Sequence, residues 1–475
     1  MSAFLPIKTI GLAIVTALTI TACKISKDVI ITDPNVPTVF RNDLNENQDS
    51  SSIADLSIHD FFKDTILQTL ITSALEQNYD MQIALKNIEA SDLLFKQVKW
   101  NYLPDLSLQV NAASNRPSDN SLNGLSAQSF LKTNHIEDYT ASLNLSWEAD
   151  IWGKIKNQKQ AALAAYLQTQ EARKAIQTSL VSNVAKGYYN LLMLDAQLEA
   201  VKKNVALNDS TVRIVQLQFE SGQVTALAVE QAKSQKIAAQ QLIPKLEQDI
   251  LLQENALSIL TGQLPAEVRR AHFAESIKAT SKYNTGFPAD ILKRRPDVRN
   301  AELNLTIANA RVGISKANMY PALRITASGG TNAFKASNWF NIPASLFGMV
   351  SGSLVQPLLN KKYLKTQFEV AKVDREKQVL FFRQTVLTAV GDVSDALAKV
   401  DKLSEQYTYA LDRNTVLQKA ISNANYLFQS GMANYLEVLT AQSNALQNDL
   451  DIASIKRDQL MADVDLYRSL GGGLK

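Results

Sequence analysis

The 475-residue chain holds one cysteine (Cys23), three histidines (His59, His135 and His272), and only 12 prolines and 17 glycines. Each shortage excludes something. A single cysteine rules out a disulfide within one chain. The three histidines are scattered, and no pair lies at metal-ligand spacing, so no metal centre is expected. There is no phosphate loop and no nucleophile elbow, and an enzyme is not expected. Asp392 and Asp395 sit on a long helical pattern and read as a solvated face rather than a catalytic pair. The net charge of +3 nominates neither nucleic acid nor an acidic substrate. Past the N-terminal region no stretch reaches about 18 unbroken apolar residues, so no transmembrane helix is expected. The scarcity of proline and glycine favours long uninterrupted helices over many short strands and turns. Apolar residues at 46% and charged residues at 20% argue against wholesale disorder.

What is present begins with a targeting pattern. Lys8 precedes an apolar stretch from Thr9 to Ile20, too short to span a bilayer but suited to a signal-peptide core. It ends in Ile20-Thr21-Ala22-Cys23, which resembles a bacterial lipobox. Residues 1–22 are therefore expected to be a signal peptide, with a covalent lipid on Cys23 and no other cofactor. Lys24, rather than Asp, is compatible with export to the outer membrane. Residues 23–60 contain Pro34, Pro37 and a run rich in Asn, Asp, Gln and Ser, and read as a lipid-anchored tether.

The remainder is an internal duplication. Phe219 to Ser234 (FESGQVTALAVEQAKS) matches Phe428 to Ser443 (FQSGMANYLEVLTAQS) at an offset of 209, and the match runs on to Gly262 against Gly471. Asp80 to Leu106 aligns with Asp297 to Leu323 at an offset of 217. The repeats span 61–262 and 288–475, and the bridge 263–287, with Pro265 and Gly286, reads as a linker.

Each repeat reads as a helix, two strands and two more helices. Ile83, Leu85, Ile88, Leu93, Leu94 and Val98 recur at helical spacing up to Pro104, and the matching pattern stops before Pro321. Past each proline the period becomes two. Leu106, Leu108 and Val110 alternate with polar residues, as do Leu323 and Ile325. In the second strand Tyr139, Ala141, Leu143, Leu145 and Trp147 share one face, opposite Thr140, Ser142, Asn144, Ser146 and Glu148. A fourth, weaker strand lies at about Phe347 to Gln356. Such strands suit a tilted outer-membrane strand, apolar to lipid and polar to lumen. From Lys154 to Phe219 and from Lys361 to Gln429 there is no proline and one glycine each, so each segment reaches about 100 Å as continuous helix. Gly222 and Gly431 are expected to turn two helical hairpins through a left-handed C-cap. Helices return at about Val224 to Leu260 and Tyr435 to Leu470, with faces rich in Ala, Ser, Gln and Asn that permit close packing and tolerate a wet surface.

Four strands cannot close a barrel, and open edges in lipid are prohibitively costly. The chain must therefore oligomerise, and a homotrimer with twelve strands leaves room for a channel. The expected fold is mainly α with a small β part: an α-helical barrel continuous with a 12-stranded β-barrel, four strands per protomer.

Several segments carry a family resemblance. Arg294-Arg295-Pro296-Asp297-Val298-Arg299-Asn300-Ala301-Glu302 closely resembles the "RRPDVRxAE" signature of outer-membrane efflux proteins of the TolC and OprM type. Trp147-Glu148 with Asp150, Trp152 and Gly153 resembles their "WExDxWG" segment, Asn434 to Gln442 their "NYLxxLxAQ" segment, and Gly471-Gly472-Gly473 their terminal glycines. The resemblance covers nearly all of the chain after the tether. It implies a trimeric channel-tunnel in the outer membrane that passively conducts drugs or other small molecules. It also implies a periplasmic adaptor and an inner-membrane RND-type pump as partners. A periplasmic gate is implied at Leu436, Glu437 and Thr440, with three Glu437 side chains forming an acidic ring. Relatives often carry Asp at the Thr440 position and a charged latch residue at Ala228 and Ala433, so closure here is expected to rest on packing. Two other readings compete: a duct for secreted polypeptides in the same family, and a structural trimeric coiled-coil lipoprotein. The latter calls for sustained apolar heptads, which the Ala/Gln-rich faces do not supply.

Overall fold

In a computed structural model, residues 37, 39–41, 52–271 and 284–474 are described. The signal segment, Cys23, most of the tether and His272 lie outside the described residues. The first repeat comprises α1 (Thr65–Gln77), α2 (Tyr79–Trp100), β1 (Asp105–Asn115), β2 (Ile136–Glu148), α3 (Lys154–Glu220) and α4 (Ala226–Leu260). The second comprises α5 (Pro296–Ala317), β3 (Ala322–Ala333), β4 (Leu346–Val355), α6 (Tyr363–Gln429) and α7 (Tyr435–Ser469). The fold is mainly α with one small antiparallel sheet, and the order of elements is duplicated. Helices α3 and α6 are 67 residues each, and α4 and α7 are 35 each.

Repeat one opens with two helices where one was expected, and the break falls at Asn78. Asn78 accepts from the backbone N–H groups of Asp80 and Met81, and its amide donates to the Leu260 carbonyl. An asparagine that caps one helix and holds the end of another stops α1 and starts α2. Helix α4 runs through Pro244, which removes one ladder donor without ending it.

Two compact units arise. One holds the sheet with Ala90–Leu167 and Leu303–Leu380; the other is built chiefly from Gln168–Glu302 and Phe381–Lys475. In the first unit the strands run in the order β1-β2-β3-β4, all antiparallel. The register sets Leu106 opposite Leu145, Leu145 opposite Ala327, and Ala327 opposite Val350. Because side chains alternate, this row fixes one apolar face that also holds Leu108, Val110, Tyr139, Leu143, Trp147 and Leu354. The other face is mainly polar over β1 to β3, with Phe347, Met349 and Val355 of β4 also on it, and is cross-linked: Ser328 donates to Asn144 Oδ1 at 2.7 Å, and the Asn332 amide donates to Asp138 at 2.6 Å and Thr140 at 2.8 Å. Both outer strands, β1 and β4, are exposed along their whole length.

In the second unit α3, α4, α6 and α7 pack side by side. Leu67 and Ile71 of α1, Tyr188, Leu191 and Leu192 of α3, Leu257 of α4, and Leu460 and Val464 of α7 form a continuous apolar core. Helix α7 is fastened on both sides by side-chain amides. Gln197 and Asn204 of α3 donate to the carbonyls of Leu450 and Gln442, while Asn448 and Gln459 of α7 donate to those of Ala410 and Leu403 on α6. Asn204, Gln442 and Asn448 are buried. The amides in the sequence thus serve the seam between helices as well as wet surface, because each bonds a backbone carbonyl of the neighbouring helix while letting backbones approach.

Candidate functional site

Both hairpins turn the same way. Gly222 (φ +78°) and Gly431 (φ +73°) lie in the left-handed region. The N–H of Gly222 donates to Phe219 and that of Gln223 to Gln218, with Gly431 to Phe428 and Met432 to Leu427 in parallel. These are paired C-cap bonds that satisfy the last carbonyls of α3 and α6. Helix α7 then restarts from Asn434, whose side chain accepts from Leu436 N and Glu437 N. Helix α4 restarts from Thr225, which makes no side-chain cap bond.

Behind the turns lies a small core: Val215, Ala228, Val229, Ala232, Phe428, Val438 and Leu439. Tyr435 stitches the hairpins together by donating to Gln231 of α4. Ala228 is 1% exposed, so its small side chain is needed for the helices to meet there. Of the gate candidates, Leu436 and Thr440 line one groove with Gln231, Ser234, Gln235, Leu439, Ser443 and Asn444, a cavity of about 390 Å³. Its polar lining is uncharged. Glu437 is exposed one position around the helix, in the first turn of α7, outside that groove.

The signature segments have different work. After β2, Trp147 Nε1 donates to the Tyr102 carbonyl, and Glu148 pairs with Lys154 at 2.9 Å. Asp150 accepts from Ile155 N and Lys156 N, capping α3. Trp152 stacks on Tyr320 and donates to the Pro321 carbonyl at 2.8 Å. The segment is a strand-to-helix corner, with a carboxylate at the positive end of a long helix.

"RRPDVR" is a clamp. The buried Arg295 guanidinium pairs with Asp297 at 2.7 Å and Asp392 at 2.9 Å, and donates to the Ala389 and Ser469 carbonyls of α6 and α7. Burial works against the charged form of Asp297, but the Arg295 bond and charge outweigh it and hold the carboxyl below the usual range. Asp392, expected on a solvated face, is a partner in this clamp. Gly471 (φ +89°) passes so close to Arg294 that a Cβ there would sit 2.7 Å from the Arg294 Cβ. The terminal glycines thus let the chain end pass the clamp.

A second clamp was not visible in the sequence. Arg270, in the bridge, reaches Asp195 on α3 and Glu254 on α4. Burial alone would lower the guanidinium pKa, yet the two carboxylates raise it. Among the described residues no group of three His, Cys, Asp or Glu side chains is placed to hold a metal ion, and no helix is long and apolar enough to cross a membrane.

Known proteins share this arrangement. A family model described as outer membrane efflux protein matches residues 70–263 and 287–472. The cation efflux system protein CusC of Escherichia coli is 27% identical, over 96% of this chain and 97% of its own. The probable outer membrane lipoprotein SilC of Salmonella typhimurium is 27% identical, over 89% of each chain. The solved CmeC outer membrane channel of Campylobacter jejuni shares the fold with a TM-score of 0.86 at 21% identity, covering 95% of each chain. With both repeats matched and the whole architecture shared, the chain belongs to the outer membrane efflux protein family.

Proposed function

We propose that the chain acts as a homotrimer, an outer-membrane exit duct through which a periplasmic adaptor and an inner-membrane RND-type pump expel cations or other small molecules. The observation that carries this is the sheet: one apolar face, one polar face and two unpaired edges. In lipid such edges must be paired, and three copies join β4 to β1 into twelve strands. Aromatic groups mark both ends of the apolar face. Tyr139 with Trp339 stands at one end and Trp147 at the other. Eight residues separate the two strand positions, about 27 Å along a strand and about 20 Å in height once tilted, which falls within the apolar band of outer-membrane barrels. Helices α4 and α6 expose Ile237, Leu251, Leu387, Tyr409 and Val416, apolar side chains that a neighbouring copy would cover. Cys23 carries the lipid. No bond is made or broken by the duct; cargo diffuses through it.

The gate lies at the second hairpin tip, with Leu436 as an apolar constriction, Glu437 as an acidic ring and Thr440 beside them. The polar cavity around Leu436 and Thr440 supports this placement. Negative-stain electron microscopy of the lipid-modified protein in detergent tests the assembly. Threefold cylinders of about 100 Å or more with a stain-filled lumen are expected. Compact monomers, or thin rods without a lumen, would sink the duct and favour the structural coiled coil.

A further inference from the structure

The two repeats meet their long helices through different corners. In the first, three of the groups are used internally: Trp152 is stacked and bonded, Lys154 is paired and Asp150 caps the helix. In the second, the corresponding residues face outward. Leu358 is 87% exposed and Leu359 is 99% exposed. Lys361, Lys362 and Lys365 follow, all exposed and none with an ion-pair partner among the described residues, and no acidic residue intervenes before Glu369. Lys361 (φ 45°) and Lys362 (φ 62°) are the central pair of a turn closed by the Tyr363 N–H bond to Asn360. Such mirror-image turns ordinarily take Gly, Asn or Asp at both places.

We propose that this corner, Leu358 to Lys365, is a docking surface for anionic phospholipid in the periplasmic leaflet of the outer membrane. The two leucines enter the acyl boundary, and the three ammonium groups engage headgroup phosphates. Two observations single out lipid. The corner follows closely on the end of β4, where Leu354 stands opposite Leu323 on the apolar face in the last rungs before the loop. Its charge is all of one sign, and complementary to phosphate. A neighbouring copy would bring Trp100, Tyr102 and Leu103 as a surface for the leucines, but only one carboxylate, Asp105 at the start of β1, against the three lysines. The proposal rests on the membrane-spanning reading of the sheet given above.

The full-length, lipid-modified protein in dodecyl maltoside is equilibrated with phosphatidylglycerol or phosphatidylcholine of matched chains, and retained lipid is counted by native mass spectrometry. Wild type should favour phosphatidylglycerol. That preference should fall about fivefold for each lysine lost. It should vanish in Lys361→Gln/Lys362→Gln/Lys365→Gln and persist in the triple Arg variant. Leu358→Ser/Leu359→Ser should lower retention of both lipids with the oligomer intact. A triple Gln variant that keeps the preference overturns the proposal. So does a leucine variant whose sole effect is loss of the oligomer, which would assign the leucines to a second copy. Wild-type protein that fails to cofractionate with the outer membrane would remove the membrane reading itself. A corner that fails in a correctly located protein removes only the lipid surface.

Discussion

The middle of the helical unit and its hairpin tip are made of the same four helices but packed to different depths. In the middle, α1 joins α3, α4 and α7 in one extended core around Tyr188, Leu191 and Leu192, and two arginine clamps tie the bridge and the chain end to it. At the tip a cluster of only seven buried side chains, two of them alanine, holds the two hairpins together. Depth of packing sets the free energy of local opening, so the tip is the part able to move while the middle stays fixed. A gate belongs where opening does not disturb the rest.

Five variants test that contrast. The largest effect is expected from Leu191→Ala, which empties a fully buried site and should destabilise by about 2–5 kcal/mol. A fall of several degrees in the thermal midpoint of the purified protein is the readout. Next comes Arg295→Ala, which strands two carboxylates and two carbonyls and should destabilise by about 3 kcal/mol. The clamp also has a pH signature. Because the folded Asp297 pKa is lowered, its contribution is present above the unfolded value of about 4 and is lost as pH falls through the folded one. The wild-type midpoint should thus drop more steeply in acid than that of Asp297→Asn. At the tip, Asn434→Ala removes the cap of α7 and should destabilise that helix start by about 1 kcal/mol. It should shift single-channel conductance while leaving the global midpoint almost unchanged. A midpoint shift as large as that of Leu191→Ala would erase the distinction between the two regions. The smallest effect on stability is expected from Leu436→Ala/Glu437→Ala, whose side chains are exposed, yet conductance should rise. Unchanged conductance would remove both residues from the gate.

Much of this architecture was legible in the sequence because it is local or periodic. Alternation in β1 and β2 fixes two faces, Ser-Gly pairs mark the turns, and a constant offset reveals the repeat. What stayed hidden is long-range. Arg270 meets Asp195 across 75 residues, and no spacing announces such a pair. The break at Asn78 depends on the Leu260 carbonyl, 182 residues away. "RRPDVR" was recognisable as a signature, but its meaning as a clamp appears only when Asp392 and Ser469 arrive beside Arg295. Leu436 and Glu437 are adjacent in sequence, and only the helix phase separates the groove-lining leucine from the outward acid.

The equal lengths of α3 and α6, and of α4 and α7, constrain how the chain can change. A helix advances its side chains by about 100° per residue, so one inserted residue in α3 would rotate everything beyond it out of phase with α6. Deletions would do the same in the opposite sense. Compensation would require matched edits in distant stretches of the gene, an improbable double event. Length variation among descendants of this chain should therefore collect in the connections 116–135 and 334–345, which join strand to strand and transmit no phase.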